Sequence, residues 1–91
     1  MATIAVQFKI DGERVVRALE EARDKLDGAG PKMMLDLSAV KRIDAPGLRA
    51  LEELAARAED KAVNVVLRGA SIEVYKVLKL MKLETRFSFA N

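Results

Sequence analysis

The sequence predicts an α/β fold, with about four strands in a parallel or mixed sheet and three helices in the order β-α-β-α-β-α-β. Three observations predict this fold. Residues 3–10 alternate between apolar and polar side chains, which is typical of a strand with one solvated face. Three longer segments repeat their apolar positions with the period of a helix. Short apolar runs separate these segments, and strands that alternate with helices pair in parallel through right-handed crossovers.

The first half of the chain contains the first two strands and a helix. In the first strand the apolar side is formed by Ile4, Val6, Phe8 and Ile10. We expect the first helix at residues 12–27, with Asp11 as its cap and the sequence GAGP at its end. Residues 32–38 are apolar on both faces apart from Asp36, which predicts a central strand covered on both sides.

The second half repeats the alternation. We expect the second helix at residues 46–59, and its predicted buried stripe comprises Leu48, Leu51, Leu54, Ala55 and Ala58. Residues 62–69 predict a third strand, and Ser71 suits the N-cap of a third helix that runs to about Lys82. The sequence TRFSF at residues 85–89 predicts a short last strand.

Composition limits the chemistry of the chain. The 91 residues are 51% hydrophobic and 33% charged, which is typical of one globular domain, here residues 1–91. The sequence contains no histidine or cysteine, so disulfides, thiolate chemistry, histidine-metal sites and histidine acid/base catalysis are excluded. No apolar run approaches the roughly 20 residues that a membrane span needs. We expect a cytoplasmic protein without a membrane span, a cofactor or a metal.

Neither catalysis nor nucleic-acid binding is indicated. GAGP lacks the lysine and hydroxyl of a phosphate-binding loop, and no base is apparent beside Ser38 or Ser71 to activate a nucleophile. The net charge is only +2, and although residues 61–91 carry 6 basic and 2 acidic side chains, no aromatic residues are interleaved with the basic ones in a recognisable module. We expect a protein that is not an enzyme and does not bind nucleic acid.

The sequence DAPGL at residues 44–48 lies where the second strand leads into the second helix. Proline is favoured in the first helical turn, and it disfavours helical geometry in the preceding residue, so we expect Ala45 as the cap. Alanine is a poor cap, whereas the Asp44 carboxylate is able to reach forward to the free amides and suits the positive end of the helix dipole. Gly47 lets the start of the helix pack closely against the sheet.

The run MLDLSAVKRIDAPGLRALEEL, with NVVLRGAS and VLKLMKLETRF after it, resembles the STAS domain family, whose best-known members are bacterial anti-sigma factor antagonists. That family has a strand ending in Asp-Leu-Ser, a short loop, and then Asp-Ser-Ser-Gly-Leu or Asp-Thr-x-Gly-Leu at the start of a helix. Asp36 and Ser38 match the first motif, and Asp44, Gly47 and Leu48 match the second. The resemblance implies a non-catalytic regulatory module that binds a protein partner.

In partner-switching members of that family, a kinase phosphorylates the serine or threonine after the motif aspartate. The equivalent position here is Ala45, which cannot accept phosphate. A phosphate adds about −1.5 to −2 charges to a contact surface. The resemblance therefore implies a domain that is not switched at the usual site, and that stays binding-competent or is regulated elsewhere.

We expect the partner surface at the 44–49 turn and the exposed face of the second helix. Its candidate residues are Asp44, Ala45, Pro46, Gly47, Leu48, Arg49, Glu52, Glu53 and Ser71. The partner is predicted to be an anti-sigma factor or kinase-like protein. A second hypothesis is an accessory subunit of a phospholipid-transport ABC complex, which some short STAS proteins resemble; its partner is then the ATPase subunit.

A third hypothesis is the sensing of a small ligand or nucleotide at the carboxyl ends of the strands, with Asp36, Asp44 and Gly69 as the pocket. Asp36, Ser38 and Gly69 are equally explained as residues that structure the loops. A carboxylate on a central strand is costly unless it is hydrogen-bonded, so Asp36 is expected to have a partner nearby.

The third helix has more apolar residues than one buried stripe needs. Val74, Val77, Leu78 and Met81 form the predicted core stripe, and the residues that lie off it are Ile72, Tyr75, Leu80 and Leu83. The surplus predicts an additional apolar contact surface, for a partner or for a homodimer through this helix.

Overall fold

The computed structural model describes residues 6–90, which form one four-stranded sheet with a helix between each pair of consecutive strands. The strands are β1 (Val6–Lys9), β2 (Lys32–Asp36), β3 (Asn64–Arg68) and β4 (Ser88–Ala90), and the helices are α1 (Val15–Asp24), α2 (Ala45–Lys61) and α3 (Ile72–Leu80). The predicted class and element order are confirmed. Residues 3–5 of the predicted first strand lie outside the described residues.

The sheet is parallel throughout and its strands follow sequence order, β1-β2-β3-β4. In such a sheet right-handed crossovers place every helix on the same face. The side chains on the helix face of the two central strands are the buried Met33, Leu35, Val65 and Leu67. On the opposite face Met34 and Asp36 are only half-buried, so the expectation of a strand covered on both sides is wrong for residues 6–90.

The core forms between the sheet and the inner stripes of the helices. Four of the five predicted α2 stripe residues are buried, and Leu48, the exception, is half-buried and packs against the core from the first turn. The largest fully buried side chains are Ile10, Leu19, Met33, Leu35, Leu51, Leu54, Leu67, Val74 and Leu78. Burial of each such side chain stabilises the fold by about 1.5–3 kcal/mol relative to exposure.

The start of α1 differs from the prediction. The helix begins at Val15 rather than residue 12, because a side chain at Gly12 would collide with the carbonyl oxygen of Ala39 and the chain turns there. The Asp11 carboxylate accepts a hydrogen bond from the Glu13 amide at 2.9 Å and closes this turn. Asp11 therefore does not cap α1, contrary to expectation.

The end of α3 also differs. The helix ends at Leu80 and Lys82 adopts a left-handed conformation with φ of 58°, so the helical period does not continue beyond it. Met81 is consequently 51% exposed and Leu83 only 4%, the reverse of the predicted assignment. The buried α3 residues are Val74 and Leu78.

Candidate functional site

The turn that starts α2 is held by its own capping residue. Asp44 is the N-cap, with extended backbone, and its Oδ1 accepts a hydrogen bond from the Gly47 amide at 2.9 Å. The backbone carbonyl of Asp44 accepts the Leu48 amide at 2.9 Å. The expectation that Ala45 is the cap is therefore wrong, because only the carboxylate one residue earlier is able to satisfy a free amide of the first turn.

Gly47 is required by the space around it. A Cβ at this position would lie 2.8 Å from Cγ1 of Ile43 and 3.2 Å from Oδ1 of Asp44, which is the capping oxygen itself. Gly47 is buried, whereas Ala45 and Pro46 are exposed at the tip of the turn. The cap and the glycine thus present a small, rigid, uncharged tip just after a carboxylate.

Asp36 is bonded to the loop that follows it. Its Oδ1 accepts the Ser38 amide at 2.9 Å. The hydroxyl of Ser38 and this amide bond, with weaker contributions from Lys9 and Arg68, hold the pKa of the Asp36 carboxyl below its ordinary value of 3.8. Lys9 and Arg68 are its neighbours in register on β1 and β3. This geometry fits the loop-structuring role of Asp36 and Ser38.

The loop after β2 and the loop after β3 are tied together. Gly69 has φ of +72°, and a Cβ there would lie 3.1 Å from Cβ of Ser38. The Ser71 hydroxyl caps α3 by accepting the Val74 amide at 3.1 Å, and it donates to the carbonyl oxygen of Lys41 at 3.4 Å. The structure therefore brings Ser38, Gly69 and Ser71 to the same end of the sheet as the α2 turn.

The remaining candidate residues differ in how freely they face solvent. Arg49 and Glu52 are exposed on α2. Glu53 is exposed but accepts a hydrogen bond from Arg23 of α1 at 2.9 Å, and Leu48 packs against the core. Ala45, Pro46, Arg49 and Glu52 are therefore the predicted contact residues that remain most accessible.

The residues predicted for a ligand pocket do not share a cavity. Asp44 lines an open cleft of about 740 Å³ beside the start of α1, Gly69 lines a separate groove beside α3, and Asp36 lines neither. The charged side chains of the cleft are balanced in number: Glu13, Arg14, Arg17, Glu20, Arg42 and Asp44. This arrangement gives little support to the sensing of a nucleotide by the predicted residues.

Two further searches were confined to residues 6–90. They contain no group of three or more acidic, histidine or cysteine side chains placed to hold a metal ion. None of the helices formed by these residues combines the length and the apolar character needed to cross a membrane.

Sequence reasoning missed two contacts that shape the site. One is the packing of Gly12 against the loop at Ala39, and the other is the row Lys9, Asp36 and Arg68 across three strands. Glycine directly after a strand was a local signal for the first. The second depends on strand register, which has no local signal in the sequence.

Solved structures share the fold. A candidate anti-sigma factor antagonist from Thermotoga maritima aligns with a TM-score of 0.73 and 20% identity over 93% of this chain and 73% of its own. RsbS from Moorella thermoacetica aligns with 0.74 and 24% over 99% and 84%. A sulfate transporter family protein from Wolinella succinogenes aligns with 0.75 and 24% over 92% and 75%. At these identities the likeness defines the chain as a STAS-type α/β fold.

The family follows from the sequence comparison. A family model described as "Mlab, STAS domain" matches residues 2–88, and the chain therefore belongs to the STAS domain family. A search of the curated proteins finds no match. The predicted family is confirmed.

Proposed function

We propose that the chain is a cytoplasmic, non-catalytic regulatory module that binds a protein partner through the first two turns of α2. The contact surface consists of the tip at Ala45 and Pro46 with Arg49 and Glu52 beside it, all of them exposed. Asp44, Gly47 and Ser71 support this surface by capping and packing. The STAS family membership and the names of the anti-sigma factor antagonists that share the fold support a protein partner.

The observation that carries the proposal is the construction of this tip. The Asp44 cap and the absence of a side chain at Gly47 hold the start of α2 in one conformation, so no ordering cost falls on the tip when a partner binds. The exposed residues there are small, which lets a partner approach the backbone closely. A preorganised surface of this kind suits recognition rather than chemistry.

Regulation by phosphate at this tip is absent in the proposal, because position 45 carries no hydroxyl. We expect Ala45→Ser to keep partner binding, since the side chain is exposed and the added atom is small. Ala45→Glu adds a negative charge next to Asp44 at the contact and is expected to weaken binding by about tenfold or more. A kinase that modifies STAS partners is expected to leave the natural chain unmodified at this position and to accept Ala45→Ser.

The proposal is tested by quantitative copurification from source cells with an Arg49→Glu, Glu52→Arg double variant. The exchange leaves the net charge unchanged but reverses the charge pattern of the surface, so loss of a specific partner is expected. The matched control is Arg17→Glu, Glu21→Arg on α1, which exchanges an exposed pair 3.6 Å apart. Retention of every partner by the folded α2 variant would eliminate this surface.

A second candidate is an accessory subunit of a phospholipid-transport ABC complex, with the ATPase subunit as partner. The family match favours it, because its description names Mlab rather than an anti-sigma factor antagonist. Recovery of an ATPase and a permease with the wild-type chain, lost in the α2 variant, would support this candidate. Recovery of sigma-factor regulators or kinases instead would exclude it and support the anti-sigma-like role.

A further inference from the structure

The outward side of α3 carries large apolar side chains in contact with solvent. Ile72 is 74% exposed and Leu80 is 81% exposed, and Met81 follows at 51%. Ile72 and Leu80 are eight residues apart, so they lie on one line along the helix with Lys76 midway between them. Burial of three such residues in water-free contact is a strong source of binding free energy.

A shallow groove adjoins this line. Tyr75 and Phe89 pack edge to face with ring centroids 5.2 Å apart, at an interplanar angle of 76°. With Ile72 and the small residues of the preceding loop they line a groove of about 340 Å³. Both rings are partly exposed, so the groove offers an apolar seat for a side chain of a bound molecule.

The charge of this surface is positive. Lys76, Lys79 and Lys82 are exposed on α3 and its C-terminal turn, and none of them forms an ion pair with a carboxylate of residues 6–90. Glu73 is the acidic residue of the helix, and its carboxylate lies 3.9 Å from Arg42. An occupant that complements this surface is therefore both apolar and acidic.

A lipid surface fits this pattern less well than a protein. A helix that lies on a membrane turns a continuous apolar side toward the acyl chains and keeps its lysines at the flanks. On α3 the ammonium of Lys76 lies on the most outward line, between Ile72 and Leu80. Insertion of the two apolar residues would carry that charge into the same depth.

A second copy of the chain also fits less well. Two-fold packing of α3 against itself brings the same residues of both copies together, so three lysines from each copy meet across the interface. Like charges that face each other in an interface oppose association.

We propose that α3 binds an acidic amphipathic segment of a partner protein, independently of the surface at the start of α2. Ile72 and Leu80 enter apolar positions of the segment, and Lys76 and Lys79 pair with its carboxylates. One apolar side chain of the segment occupies the groove between Tyr75 and Phe89. The name α3 docking face is used below for Ile72, Tyr75, Lys76, Lys79, Leu80 and Phe89.

The test uses an 18-residue capped peptide with leucines at helical spacing and glutamates elsewhere. Binding to the full chain is followed by ¹⁵N NMR and by fluorescence anisotropy. We expect a dissociation constant in the micromolar range and shifted amide signals from residues 72–82. A second peptide with lysines in place of the glutamates is expected not to bind.

Variants separate the two contributions. Lys76→Glu with Lys79→Glu, and Ile72→Ser with Leu80→Ser, are each expected to weaken binding by about tenfold or more. The matched control Lys32→Glu with Arg57→Glu makes the same change in net charge at exposed positions outside the face, and is expected to change binding by no more than about twofold. Circular dichroism checks that each variant is folded.

Four results would overturn the proposal. They are failure of the acidic peptide to bind, shifts confined to another surface, an equal effect of the control variant, and binding of phosphatidylglycerol vesicles in place of the peptide. Sedimentation of the free chain tests the predicted homodimer through α3. A dimer that Ile72→Ser with Leu80→Ser dissociates would assign the face to a second copy and also overturn the proposal.

Discussion

The start of α2 and the outer side of α3 are two exposed surfaces built in different ways. The α2 tip exposes small residues, Ala45 and Pro46, on a turn that Asp44 caps from within. The α3 docking face exposes large apolar residues and lysines whose own side chains make few contacts. The first surface is defined by shape and backbone position, the second by apolar area and charge.

This difference teaches how specificity and affinity are divided. A preorganised tip with little apolar area contributes mainly to the choice of partner, because a wrong shape or charge is rejected at close approach. Exposed apolar side chains contribute mainly to the strength of binding, since their burial is favourable with many partners. Substitutions are therefore expected to change stability at the α2 tip and to change binding, with little effect on stability, at the α3 docking face.

The largest effect is expected from two leucines on the same helix. Leu78 is fully buried, so Leu78→Ala is expected to lower the free energy of unfolding by about 3 kcal/mol through lost contacts and a cavity. Leu80→Ala removes the same atoms from an 81% exposed side chain and is expected to change it by less than about 0.5 kcal/mol. Urea denaturation measures both. Equal losses would show that the outer side of α3 is packed in solution.

A smaller loss is expected from a side chain at Gly47. Gly47→Val is expected to destabilise the fold by about 2 kcal/mol, because its Cβ would meet Ile43 and the capping oxygen of Asp44. Gly28→Ala is the control, since no atom lies within 4 Å of a Cβ there. Thermal and urea denaturation of the control are expected to show no loss. A fully stable Gly47→Val variant would contradict the tight turn.

The two helix caps are expected to be worth similar amounts. Asp44→Ala and Ser71→Ala each leave an amide of the first helical turn unbonded, so each is expected to cost about 1 kcal/mol of unfolding free energy. Asp44→Ser, which retains a capping oxygen, is expected to restore most of the loss. If Asp44→Ala were neutral, the rigidity assigned to the α2 tip would be wrong.

The smallest effect concerns acid stability. Because the folded-state pKa of Asp36 lies below the ordinary value of 3.8, its contribution to stability is complete above that pH and is lost as the pH falls through the folded-state pKa. Asp36→Asn is expected to reduce the acid-dependent loss of stability below about pH 4. Ser38→Ala is expected to move the Asp36 pKa part of the way back, as followed by carboxyl NMR titration. An unchanged titration would exclude the Ser38 hydroxyl as its cause.

Local patterns were sufficient for the fold class. Helices and strands were recognised from their periods, and the connecting turns from glycine, proline and capping residues, so the order of seven elements was predicted correctly. The α2 turn was located from Asp44, Pro46 and Gly47 for the same reason. The errors fall at element ends, where a single contact decides whether a helix continues.

The sequence by itself determined the element order, the position of the α2 turn and the absence of a hydroxyl at residue 45. Tertiary structure alone decided that all three helices cover one face of the sheet, that Asp44 rather than Ala45 is the cap, and that Met81 rather than Leu83 faces solvent. The physical reason is the range of the interactions. Periodicity and capping act over a few residues, whereas strand order, close approaches such as that of Gly12 to Ala39, and the exposure of α3 depend on residues distant in the chain.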